Sequence, residues 1–96
     1  MSTTQHYGDY AIDIASEGLA YLFAKKISQA NTLPDGAEKK QILREISMLQ
    51  HEQKIFYGGG SNEDFESLMH KVQTVYNPII KDAITNNRSI GYLPTE

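Results

Sequence analysis

The sequence predicts an all-α fold, a small up-down bundle of three or four helices. Apolar residues recur every three or four positions in three segments, the spacing typical of one helical face. Short turn-forming stretches separate these segments, and short loops place successive helices antiparallel. We expect helices at about 9–30, 36–57, 62–76 and 77–86 in a single helical domain, 1–96, with a flexible polar leader at 1–8 and a tail at 88–96.

The first segment favours a helix, although its beginning has an alternative. Tyr10, Ile12 and Ile14 alternate with smaller or polar residues, as a short strand would. Gly18 lowers the stability of a helix interior by about 1 kcal/mol relative to alanine. A lone strand has no partner to pair with, so we favour a helix, with a start as late as Ser16 left open.

The second segment carries signals at both ends. Asp35 and Glu38 have the spacing of a capping box, in which each side chain accepts from a backbone amide of the first turn. Gly58 is suited to a left-handed C-cap. The expected apolar face consists of Ile42, Ile46, Leu49, Gln53 and Phe56, widened by Leu43 and Ile55.

The third segment begins at Ser61, which we predict to be an N-cap, with acidic Glu63 and Asp64 favourably placed in the first turn. Asn77-Pro78 interrupts the pattern because proline lacks a backbone donor and restricts the residue before it. Either the helix kinks there, or a new helix begins with Asn77 as its cap.

The tail contains three apolar residues, Ile90, Tyr92 and Leu93, without a regular pattern. It either folds back onto the bundle or presents a peptide to a partner. Of the two, we favour packing on the bundle.

Composition and motifs argue against an enzyme. The chain has 96 residues and no cysteine, which excludes disulfides, cysteine-ligated metals and a thiol nucleophile. His51-Glu52 begins like a zinc-protease helix, but Ile55 stands where the second histidine is needed. No serine lies in a nucleophile-elbow frame. We therefore predict no catalytic residues, no metal and no cofactor.

The start of the chain and its hydropathy predict a cytoplasmic protein. The first residues have no basic stretch leading into an apolar run, as a signal peptide would. The longest apolar run, Leu19 to Ala24, is far shorter than the roughly 20 residues that span a bilayer. We expect no membrane association.

Charge is distributed unevenly along the chain. Residues 25–44 carry five cations against two carboxylates, a local +3, whereas the remainder carries −6. A helical hairpin would gather these cations at its closed end and could attract an anionic partner. We do not expect duplex DNA binding, because the net charge is −3 and no recognition helix is evident. The cations are Lys25, Lys26, Lys39, Lys40 and Arg44.

The hairpin turn also resembles one known family. Residues 24–39, which include Lys25-Lys26 and Pro34-Asp35-Gly36, are similar to the hairpin turn of small phage proteins that sequester cyclic-nucleotide alarm signals. Ala37 stands in place of that family's arginine, and its Glu-Glu and Met-Trp pairs are missing from the next helix. The resemblance motivates a nucleotide-binding hypothesis.

Two functional hypotheses follow. The first is a non-enzymatic protein-binding module, an inhibitor, adaptor or immunity-type factor of a phage or mobile element, which docks on a larger protein and could also form a homodimer. The second is a protein that binds or sequesters an anionic small ligand, a cyclic or linear nucleotide, through the five cations and a nearby tyrosine. The expected partner-binding residues of the first are Tyr7, Tyr10, Tyr57, Tyr92 and Leu93, because tyrosine is favoured at interfaces.

Overall fold

The structure, a computed structural model, describes residues 9–94, and within this range the regular elements are all helices, with no strand. Helix α1 spans Asp9–Thr32 and α2 spans Ala37–Lys54. Helix α3, Asn62–Lys71, continues through a π-helical turn, Val72–Tyr76, into α4, Asn77–Thr85. The predicted all-α bundle is confirmed, with α3, the π-turn and α4 forming one third helix. The leader at 1–8 and the last two residues of the tail lie outside the described range.

Helix α1 is helical from Asp9 onward. The strand alternative for residues 10–14 and the late start near Ser16 are therefore wrong. Gly18 faces the third helix: a Cβ there would lie 3.4 Å from both the Asn77 side chain and Ile80. An added methyl group would be in ordinary van der Waals contact with α4, which lies close to α1 at this point.

The two capping predictions have different outcomes. Ser61 and Asp64 form a reciprocal capping box, in which the Asp64 amide donates to Ser61 Oγ at 3.1 Å and the Ser61 amide donates to Asp64 Oδ2 at 3.0 Å. The box predicted at Asp35 and Glu38 is wrong. Extended Gly36 is the N-cap of α2 without a side-chain bond, and Asp35 instead lies 3.6 Å from Lys39 Nζ.

Helix α2 ends through a π-type turn, Ile55–Gly59, in which the backbone leaves helical geometry at Tyr57 and Gly58. Gly58 has φ 91° and ψ 12°, so the predicted left-handed glycine is confirmed. Because side chains disfavour this conformation, glycine lets the chain reverse toward α3 at low energetic cost.

Pro78 does not divide the third helix. Tyr76 and Asn77 both have right-handed helical torsion angles, so Asn77 is not a cap. The Asn77 amide donates to the Val72 carbonyl five residues earlier, which defines the π-turn. This wider turn accommodates a proline that cannot donate, and separate helices at 62–76 and 77–86 are not formed.

The chain reverses again at the end of α4. The Asn86 amide donates to Asp82 O and the Arg88 amide to Ala83 O, both at 2.9 Å, while Asn87 adopts a left-handed conformation with φ 53°. This is a Schellman-type ending with asparagine in the position that glycine usually takes. It directs residues 88–94 back onto the bundle, so the packed alternative for the tail is the observed one.

The core contains residues from all helices and from the tail. Helix α2 contributes Ile42 and Leu49. The observed core face of α2 differs from the predicted one, because Leu43 is exposed and the carboxylates of Glu45 and Glu52 are buried. The buried apolar residues are Ala15, Leu19, Leu22, Ala30, Ile42, Leu49, Leu68, Met69, Val72, Tyr76, Ala83, Ile90 and Leu93.

Candidate functional site

The structure does not gather the five predicted cations at one tip. Lys26 is completely buried against Glu45. Lys39 lies beside Asp35, and Lys25 lies over the Tyr21 ring, 5.4 Å from its centroid. Lys40 and Arg44 share the outer side of α2. The cations therefore occupy separate surroundings that need separate functional interpretations.

A groove with a volume of about 850 Å³ runs along α2. We call it the α2 groove. Its α2 residues are spaced i, i+3, i+4, i+7 and i+8, so they form one continuous helical stripe. Glu52, one helical turn beyond Met48 on α2, and Lys71 of α3 complete the lining. The stripe consists of Lys40, Leu43, Arg44, Ser47 and Met48.

The α2 groove has an excess of positive charge and an exposed apolar centre. Lys71 Nζ lies 2.8 Å from Glu52 Oε2, so this pair is neutralised. Neither Lys40 nor Arg44 forms an ion pair within residues 9–94, and Arg44 donates to Gln41 Oε1 at 2.6 Å. Leu43 is 46% exposed. The arrangement can attract carboxylates and cover an apolar side chain at the same time.

A buried network holds the wall that α3 contributes. Tyr76 donates its hydroxyl hydrogen bond to Glu52 Oε1 at 2.7 Å. Lys71 Nζ lies 5.0 Å from the centroid of the Tyr76 ring and 3.6 Å from Met48 Sδ. Burial raises the pKa of the Tyr76 hydroxyl far above its ordinary value, and the hydrogen bond and negative charge of Glu52, together with the charge of Glu45, raise it further. Tyr76 therefore remains a neutral donor that keeps Glu52 in place.

The second polar centre joins α1, α2 and the tail. Lys26 Nζ lies 2.7 Å from Glu45 Oε1 and donates to the Gly91 carbonyl at 2.7 Å. The Leu93 amide donates to Glu45 Oε2 at 2.7 Å. Within the described part of the chain, Glu45 Oε1 accepts no hydrogen bond of regular geometry, so its contact with Lys26 is mainly a charge attraction. The main chain of the tail thus forms one hydrogen bond with each member of a buried ion pair.

Side chains of the tail fill apolar space beside this ion pair. Ile90 and Leu93 are buried, and Gln29 donates to the Ile90 carbonyl at 2.7 Å. Tyr92, between them, is 59% exposed, and its ring centroid lies 5.9 Å from Lys26 Nζ. We call the surface that holds residues 90–93 the tail groove; its polar contacts come from Lys26, Gln29 and Glu45.

A third concave surface lies between α1 and the turn after α4. Its volume is about 310 Å³, and it is lined by Lys25, Arg88 and Tyr21 together with serine hydroxyls and side-chain amides. No carboxylate lines it, although Asp82 approaches Arg88 to 3.9 Å. We call it the Lys25 cleft.

The predicted partner-binding residues differ in exposure. Tyr10 and Tyr57 are 79% and 80% exposed, and Tyr92 is also exposed. Leu93 is buried in the core at 3% exposure, which removes it from the surface in this conformation. Tyr7 lies outside the described residues.

The sequence interpretation missed the roles of Glu45, Glu52, Lys71 and Gln29. A signal was present for the carboxylates: Ile42, Glu45, Leu49 and Glu52 are spaced by three and four, which puts both carboxylates on the core face. Lys26 likewise continues the series Ala15, Leu19, Leu22 on α1. Charged residues on two facing core stripes indicate a buried ion pair.

No group of three or more metal-ligating side chains within residues 9–94 is placed to hold a metal ion. No described helix combines the length and apolar character needed to cross a bilayer.

The chain matches no protein-family model, curated protein or solved structure.

Proposed function

We propose that this chain is a non-enzymatic protein-binding module that docks on a larger partner through the α2 groove. The observation that carries the proposal is the stripe itself: Lys40 and Arg44, neither of which forms an ion pair within residues 9–94, flank exposed Leu43 at helical spacing. The occupant that fits best is an acidic amphipathic helix of the partner, which places apolar residues over Leu43 and Met48.

The physical basis is the combination of shape and charge. A helix that lies in a groove presents side chains at i, i+3, i+4 and i+7, which matches the spacing of the stripe. Carboxylates beside its apolar face would neutralise Lys40 and Arg44, whose charge no described acidic residue balances. Opposite charges on the two proteins also raise the rate of association, and a partner with positive charge at these positions would be repelled. Such docking suits an inhibitor, an adaptor or an immunity-type factor.

The test uses a fluorescein-labelled synthetic helix of about five turns, with leucine along one face and glutamate beside it. Fluorescence anisotropy measures its affinity for the whole chain and for two matched variants, Lys40→Glu and Lys39→Glu. Both variants change the charge equally at adjacent positions, but Lys39 lies outside the α2 groove. We expect Lys40→Glu to weaken binding about tenfold or more and Lys39→Glu to change it by less than about twofold.

Photo-crosslinking gives the same test with a natural partner. A photoreactive residue at exposed Ser47 should crosslink a protein from the cells that express this chain, and Lys40→Glu should abolish the product. Equal loss in both charge variants, or binding that neither variant weakens, would overturn the assignment to the α2 groove.

A second candidate function is supported by the Lys25 cleft. Two cations, several hydroxyl and amide donors and the Tyr21 ring line it without a carboxylate, a combination suited to a nucleotide phosphate and its base. A thermal-shift series with mono-, di- and cyclic nucleotides tests it, because a ligand that binds the folded state raises the melting temperature. A rise in the melting temperature of the wild type that Lys25→Ala abolishes would support this candidate. An unchanged melting temperature at saturating nucleotide would reject it.

A further inference from the structure

We propose that the tail groove is a peptide-binding site that also accepts residues 90–93 from a second copy of this chain. The two copies would exchange tails reciprocally and form a dimer. Two neighbouring features carry the inference: a buried, charged groove filled by main-chain atoms of the tail, and a left-handed reversal of the chain at Asn87.

The contacts that hold the tail do not require it to belong to the same chain. Lys26 and Gln29 donate to the carbonyls of Gly91 and Ile90, and Glu45 accepts from the Leu93 amide. Two buried anchors, Ile90 and Leu93, complete the interaction. An identical tail from another copy would form the same bonds and fill the same space.

The groove requires an occupant. Lys26 and Glu45 are both fully buried, and a buried ion pair is stabilising only when further hydrogen bonds satisfy its remaining donors and acceptors. The Gly91 carbonyl and the Leu93 amide provide these bonds. A copy that releases its own tail therefore exposes a site that a second tail satisfies.

Asn87 is the hinge that allows the exchange. Its left-handed conformation, φ 53°, is uncommon for a residue with a side chain, although asparagine tolerates it better than most. If Asn87 became right-handed, the third helix would continue beyond Thr85 and direct the tail away from its own groove. The tail could then bind only in the groove of another copy, which is a low-cost route to a dimer.

The test changes only residue 87, whose side chain is exposed. Light scattering after size-exclusion chromatography compares Asn87→Gly, the wild type and Asn87→Ala from micromolar to millimolar concentration. Glycine adopts the left-handed conformation freely and should favour the monomer, whereas alanine should favour the open hinge. Because two hinges open in each dimer, we expect the association constant of Asn87→Ala to exceed that of Asn87→Gly by about tenfold or more. Equal masses for all three chains over this range would overturn the proposal.

A second measurement identifies what holds the dimer together. Mixed samples of isotope-labelled and unlabelled Asn87→Ala should show nuclear Overhauser effects from Leu93 methyl groups of one copy to α1 and α2 of the other. Adding Leu93→Ser to Asn87→Ala should remove the dimer, with circular dichroism as the check on helix content. A dimer whose Leu93 contacts are all within one copy would contradict the exchange. Neither variant alters the α2 groove, so this outcome is independent of the proposed docking function.

Discussion

Lys26 of α1 and Glu45 of α2 are both fully buried, and their charged atoms lie 2.7 Å apart. In the tail, the Gly91 carbonyl accepts a hydrogen bond from Lys26 and the Leu93 amide donates one to Glu45, each at 2.7 Å. A charge pair at the centre of a small core is costly to desolvate, so the surrounding hydrogen bonds decide its net contribution. The pair fixes which part of α1 faces which part of α2, and it joins both helices to the end of the chain.

Breaking this ion pair on one side should destabilise the protein strongly. Glu45→Ala leaves the buried Lys26 charge without its partner, and we expect a loss of about 3–5 kcal/mol in the free energy of unfolding. The double variant Lys26→Met with Glu45→Leu should lose less than the sum of the two single changes. Urea unfolding followed by circular dichroism measures both, with exposed Lys25→Met as the control. Additive losses would show that the two charges are not coupled.

Removing the apolar anchor of the tail should also destabilise the bundle. Leu93→Ala deletes a side chain that is 3% exposed, and such deletions cost about 2–5 kcal/mol. Tyr92→Ala, at the exposed neighbouring position, is expected to change stability much less. Thermal unfolding of the two variants distinguishes a packed tail from a presented one, because a presented tail would leave both melting temperatures unchanged.

Stability should fall in alkaline solution because of Tyr76. The folded state holds the pKa of this hydroxyl far above its ordinary value, whereas the unfolded chain ionises near pH 10. Its contribution is therefore fully present below about pH 10 and is lost as the pH rises above that value, by up to about 1.4 kcal/mol per pH unit. Urea titrations at pH 8 to 11, compared with Tyr76→Phe, isolate this contribution from that of the lysines. Parallel curves for the two proteins would contradict it.

A glycine lies at each end of α2, Gly36 before it and Gly58 after it, and the two can be compared directly. Gly58 has φ 91°, so Gly58→Ala should cost about 1 kcal/mol through strain alone. Gly36 lies in extended backbone, and a Cβ there would meet no atom within 4 Å. Gly36→Ala is therefore expected to be nearly neutral in the same thermal unfolding measurement. A similar loss for both variants would show that glycine flexibility, not backbone conformation, determines the effect.

Local signals of the fold could be predicted from the sequence, and contacts between distant residues could not. Ser61 and Asp64 are three residues apart, so their capping box depends only on local geometry. The box predicted at Asp35 and Glu38 failed because Gly36 begins the helix one residue later, which leaves Asp35 outside it. Pro78 indicated an interruption, but the Asn77 bond to Val72 widens the turn and keeps the helix continuous.

In the candidate sites too, arrangements within one helix could be predicted from the sequence, and contacts between helices could not. Lys40 and Arg44 were predicted to bind an anionic partner, and their shared stripe follows from helical spacing. Lys71 and Met48 approach each other from different helices, which no local pattern predicts. Lys26 was predicted to lie with the other cations at the closed end of the hairpin, and its pairing with Glu45 becomes evident only when the core-facing stripes of α1 and α2 are compared.

The occupant proposed for the α2 groove is an acidic amphipathic helix. The most direct measurement is a map of backbone amide shifts in the isotope-labelled chain as the leucine–glutamate helix is added. We expect the largest shift changes at Lys40, Leu43, Arg44, Ser47 and Lys71. Binding should be weaker at high salt, because salt screens exposed charges. Changes concentrated around Lys25 and Arg88, or no saturable change at all, would contradict it.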